Sequence, residues 1–145
     1  MKQNLHILVL PFVLLFPLVP GFSQTGPGGV GSSTNNKLWL DVNRGITTSG
    51  ANVTSWADQS GAGNNATPPS VAAYPTYVAS SVNGYPSINF DGTDDEFRVT
   101  DNATLDLTSW HIFLVMKADV LKSYNAFFVK GDDNMENYEV LSYSD

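Results

Sequence analysis

Cysteine is absent from the 145 residues. That excludes disulfides, thiol nucleophiles and zinc sites built on thiolates, so stability has to come from packing or from a hard cation. Basic residues are scarce: 7 Lys and Arg stand against 14 Asp and Glu, a formal net charge of -7. Nucleic acid is therefore excluded as a partner, because its phosphates require a cationic face. Histidine is almost missing as well. His6 falls in an N-terminal apolar run, which leaves His111 alone. A single ring without a partner nucleophile reads as a packed, hydrogen-bonded side chain of a core strand rather than a general base.

Against these absences stands a mixture of Gly, Pro, Ser, Thr and Asn with Val, Tyr, Phe and Trp, which suits short strands and many turns. Residues 1–23 read as a secretory signal peptide. Lys2 gives a small positive region, and residues 5–19 are apolar apart from His6. Gly21 and Ser23 place small residues at the -3 and -1 positions of a cut before Gln24. Pro11, Pro17 and Pro20 interrupt the run, which argues against a bilayer span. The expected location is extracellular or on the cell surface, with no stable membrane span after cleavage. Residues 24–36 are a flexible leader by composition, and residues 37–145 are read as one domain.

Within that domain, residues 38–42 and 52–56 read as strands. Residues 58–66 form a Gly/Asn loop. The stretch 67–86 carries Pro68, Pro69, Pro75 and Pro86, which keep it out of a central strand, and Asn83-Gly84 marks a tight turn. The centre of the pattern is 87–99. Ile88 and Phe90 alternate with polar residues, Phe97 and Val99 do the same, and Asp-Gly-Thr-Asp-Asp lies between them. This predicts two half-buried strands joined as a hairpin. Leu105 and Leu107 are expected to dip toward the core. Residues 110–116, Trp-His-Ile-Phe-Leu-Val-Met, form the most apolar segment after the leader and predict a strand buried on both faces. Strands over 126–130 and 138–143 follow. The regular turn signals predict an all-β, antiparallel two-sheet sandwich. Its last strand lacks a partner, so the sandwich is expected to be incomplete at its C-terminal end and the chain to continue into further domains.

Candidate site residues are few. Asp91, Asp94, Asp95 and Glu96 gather four carboxylates around Gly92, a set able to contribute oxygens to calcium. The spacing is not that of an EF-hand loop, and a solvated acidic turn is the alternative. Asp132, Asp133, Asn134 and Glu136 form a weaker second cluster. For stacking on sugar rings, Tyr74, Tyr77 and Tyr85 lie in loop-like contexts, whereas Trp39, Trp56 and Trp110 read as core.

Taken in order, Leu-Trp-Leu-Asp at 38–41, Trp-Ala-Asp-Gln-Ser-Gly-Ala-Gly-Asn-Asn-Ala at 56–66, Asn-Gly-Tyr-Pro-Ser-Ile-Asn-Phe-Asp-Gly-Thr-Asp-Asp at 83–95, the segment 110–117 and Lys-Gly-Asp at 130–132 resemble a LamG-like jelly-roll domain of the concanavalin A-like lectin/glucanase superfamily. The resemblance implies two antiparallel sheets packed face to face, one concave, in a secreted protein of the kind common in Bacteroidetes-type bacteria. Laminarinase-like enzymes on this fold carry Glu-x-Asp-x-(x)-Glu on one strand, where alternation puts the acids on one face. Asp94-Asp95-Glu96 are neighbours rather than alternating, and Glu136-Asn137-Tyr138-Glu139 has the wrong spacing. The expected function is a carbohydrate- or ligand-binding module with no catalytic residues of its own, acting on a glycan or cell-surface ligand. The alternatives are the N-terminal part of a glycoside hydrolase whose carboxylates lie beyond residue 145, and a structural domain of a multidomain surface protein.

Overall fold

The computed structural model describes residues 26–27, 34–120, 125–131 and 138–142. The expected signal peptide, most of the leader and the second acidic cluster lie outside the described residues. The chain divides into two compact units, one ending at Leu107 and the other starting at Thr108. Strand is the dominant regular structure. Apart from 3-10 turns, among them those at Val71–Ala73 and Ala103–Leu105, the described residues contain no helix. The chain is all-β, and its strand pairs are antiparallel.

The first unit is one sheet. Its strands are β1 (Ile46–Ser49), β2 (Asn52–Trp56), β3 (Ala66–Thr67), β4 (Thr76–Val82), β5 (Tyr85–Asn89) and β6 (Arg98–Val99). They lie in the order β5-β4-β2-β3-β6, with β1 also paired to β2. β2 covers the residues expected of it. Three other expectations are corrected. The stretch whose prolines are expected to keep it out of a central strand contains β4, which lies between β5 and β2: Pro68, Pro69 and Pro75 all precede it and Pro86 lies in β5, so residues 76–82 are free to donate to a ladder. The hairpin expected over 87–99 does not form, since β5 pairs with β4 and β6 pairs with β3, at opposite ends of the strand order. The reason is local. Asn83 (φ 53°) and Gly84 (φ 81°) both adopt positive φ, as a two-residue type I′ turn requires, and Val82 faces Tyr85 across it. That short closure outcompetes a loop through the acidic run. Phe90 and Phe97 still meet edge to face at 5.9 Å, and Phe97 meets Trp56 at 5.8 Å.

The third correction concerns residues 38–42, which are not a strand. Their polar groups are claimed by the Gly/Asn loop instead. The Trp39 amide donates to Asp58 Oδ1 at 2.9 Å, and the Trp39 carbonyl accepts from the Gln59 amide at 2.8 Å. Asp58 also accepts from the Ser60 amide, the Ser60 hydroxyl at 2.6 Å and the Asn64 amide at 3.0 Å. Asn64, 2 % exposed, donates through Nδ2 to the Lys37 carbonyl and to Thr104 Oγ1. One carboxylate and one amide thus tie three separate segments together, and a strand at 38–42 would have to give up those bonds.

The packing around this clamp is tight at one glycine. Gly45 sits at φ 71°, and a Cβ there would lie 2.8 Å from the Ala57 Cβ and 2.6 Å from Gln59 Nε2. Gly45→Ala therefore combines a left-handed backbone with an overlap, and is expected to cost about 2 kcal/mol or more. A thermal melt lowered by roughly 10 °C checks this; an unchanged melt would count against the strain.

The best-buried apolar side chains among the described residues are Val53, Ala66, Pro75, Ala73 and Leu105. Leu105 is buried as expected and Leu107 partly so. The second unit contains β7 (Asn125–Lys130) and β8 (Tyr138–Ser142), an antiparallel pair close to its expected boundaries. Residues 110–116 depart most from expectation. They form no strand, and Phe113, Val115 and Met116 are 90 %, 105 % and 49 % exposed. Trp110 and His111 are exposed with them rather than packed in a core.

Candidate functional site

Two places in the first unit gather chemistry-bearing side chains. The first is the acidic loop between β5 and β6. Asp91 caps its own turn: Oδ1 accepts from the Thr93 amide at 2.7 Å and the Asp94 amide at 3.4 Å. The Thr93 amide is the main cause that holds the Asp91 carboxyl below its ordinary range. Asp95 closes the loop from the other side, its Oδ2 accepting from the Asp91 amide at 2.8 Å. The fold brings Asp91, Asp94 and Asp95 together, with one oxygen from each within 4.8 Å of the others. Glu96 does not join them. It is drawn to Arg98, whose Nε and Nη2 donate to Oε1 at 3.0 and 2.6 Å. The three aspartates suit a hard cation by donor type and spacing. They supply only part of the six to eight oxygens that calcium takes, and the loop amides already occupy some of those oxygens.

The second place is a shallow groove of about 280 Å³ lined by Asn43, Arg44, Gly45, Thr48 and Tyr77 with Val42 and Ile46. β1, its preceding turn and β4 build it. Tyr77 is positioned by β4, where its amide donates to the Ala51 carbonyl at 2.8 Å and its residue faces Ile88 of β5. Asp41 organises the opposite wall: Oδ1 accepts from the Asn43 amide and from Asn43 Nδ2, and Oδ2 lies 3.4 Å from Arg44 Nε. The Arg44 guanidinium lies over the Trp39 ring, 5.6 Å from its centroid. A tyrosine, an asparagine, a threonine and an arginine therefore line one opening, residue types whose polar groups sugar hydroxyls can use.

Of the three tyrosines singled out by sequence, only Tyr77 lines this groove. Tyr74 follows the first 3-10 turn half-buried, and Tyr85 stands 68 % exposed beside the Asn-Gly turn. Asn43, Arg44 and Thr48 were not expected, because a strand at 38–42 hides the carboxylate of Asp41 that orders the first two. The pattern Asp-x-Asn-Arg, an Asx turn beside a cation, is the signal that could have found them.

Among the described residues no helix is long and apolar enough to cross a membrane. Comparison with protein-family models, with curated proteins and with solved structures finds no match to this chain.

Proposed function

We propose that the chain is a secreted or cell-surface recognition module of jelly-roll type that binds carbohydrate and performs no catalysis of its own. The observation that carries this reading is the groove, where Tyr77 shares one opening with Asn43, Arg44 and Thr48. A tyrosine ring covers an apolar sugar face while the surrounding polar groups bind its hydroxyls. The all-β antiparallel architecture and the resemblance to LamG-like domains are consistent with it. Calcium belongs to the same proposal as a ligand of Asp91, Asp94 and Asp95.

The test is a glycan array probed with the chain in calcium and in chelator. Binding in at least one condition is expected, and Tyr77→Ala should weaken it by about tenfold, roughly 1.4 kcal/mol. Tyr77→Phe, which keeps the ring, should retain most of the affinity. Silence across the array in both conditions would remove the reading.

A further inference from the structure

We infer that the bound glycan is acidic, carrying a carboxylate or a sulfate ester, and that Arg44 holds this group; the inference rests on the carbohydrate reading of the groove. Two arginines in the first unit show the contrast that motivates it. Arg98 is capped: its Nε and Nη2 both donate to Glu96. Arg44 has an ion-pair neighbour but, among the described residues, no side-chain hydrogen bond. Its Nε is 3.4 Å from Asp41 Oδ2, and its guanidinium rests against Trp39. Among the described residues its two Nη groups have no partner, and its side chain is 62 % exposed. A guanidinium that lies over a ring and beside a carboxylate at Nε, with no hydrogen bond at its Nη ends among the described residues, still has both of those ends to offer a planar or tetrahedral oxyanion.

The surroundings agree. None of the lining residues is acidic, and the carboxylate behind the wall, Asp41, has its side chain 18 % exposed and is already engaged by Asn43 and Arg44. Asn43 Nδ2 is taken by Asp41 at 3.1 Å, which orients that amide beside the fork. The net charge of -7 opposes an anion only at range. At physiological salt such repulsion is screened over about 8 Å, well outside a direct contact.

The experiment titrates the full chain with polygalacturonate, chondroitin sulfate and a neutral β-glucan. Arg44→Gln, Arg44→Lys and, as a control at the capped arginine, Arg98→Gln are titrated beside it. The acidic polymers are expected to bind about tenfold or more tighter than the neutral one, the scale of one charge-assisted pair. Arg44→Gln should erase that preference. Arg44→Lys should keep only part of it, because an ammonium cannot make the bidentate contact, and Arg98→Gln should keep it all. Preference between the first two polymers separates the carboxylate from the sulfate source. Equal or tighter binding of the neutral glucan, or an Arg44→Gln chain that keeps its acidic preference, overturns the inference and leaves the carbohydrate reading standing. Absence of binding to every polymer overturns both.

Discussion

Replacing Phe113 and Val115 together by lysine is expected to abolish self-association of the chain while moving its melting temperature by less than about 4 °C. Phe113 is 90 % and Val115 105 % exposed, in a run from Trp110 to Met116 without charge, proline or glycine. Exposed segments of that composition, rich in β-branched and aromatic residues, pair with one another along free backbone edges. The unmodified chain should therefore bind a hydrophobic dye and show concentration-dependent oligomers in sedimentation, and the double variant should do neither. The same experiment distinguishes the structure from the expectation that this segment is a buried strand. Two lysines placed in a core would cost several kcal/mol and collapse the melt. A monomeric unmodified chain with no dye binding would refute the prediction from the other side.

Asp58→Ala is expected to be the most damaging single substitution in the first unit. The carboxylate accepts four hydrogen bonds, from the Trp39, Ser60 and Asn64 amides and the Ser60 hydroxyl. Bonds to a charged group contribute about 1.5–3 kcal/mol each and are not additive, so a loss of about 3 kcal/mol or more is expected, a melt lowered by more than roughly 10 °C. Asp58→Asn keeps an acceptor without the charge and should fall between. The pH dependence has a definite sign. Partial burial raises the Asp58 carboxyl, but the Ser60, Trp39 and Asn64 donors together outweigh it, so the folded-state value lies below the ordinary 3.8. A lowered carboxyl stabilises the fold fully above its unfolded value and ceases to do so as pH falls through the folded one. Acid denaturation of the parent should therefore include a component below pH 3.8 that Asp58→Ala lacks. Parallel acid-unfolding curves for parent and variant would contradict this.

What the sequence made legible were the features that depend on neighbouring residues. β2, β7 and β8 fall close to where alternation places them, and Asn83-Gly84 turns as its φ demands require. The errors share one cause, competition from partners far along the chain. Alternation at 87–99 is real, yet it does not say which strand pairs with which, and the shorter closure at 83–84 took β5 away. Residues 38–42 have strand composition, but Asp58, beyond a hairpin, claims the Trp39 amide. Apolarity at 110–116 predicts burial only if something is available to cover it. The acidic loop was readable because its carboxylates lie within a few residues of each other. Glu96 was the exception, diverted by a cation two residues on. The groove was readable only in Tyr77, since its other wall depends on an Asx turn at Asp41 whose order rests on tertiary neighbours.

The strand order also bears on how the chain folds. β1 with β2, β4 with β5 and β7 with β8 each join segments adjacent in the chain, so each closes a short loop at little entropic cost. The pairing of Ala66 and Thr67 with Val99 and Arg98 spans the whole β4–β5 excursion and gains only two residue pairs in return. Such contacts slow a chain down, because ordering precedes reward. The hairpins are therefore expected to assemble early and the β3–β6 closure late, together with the arrival of Phe97 beside Trp56 and of Thr104 beside Asn64.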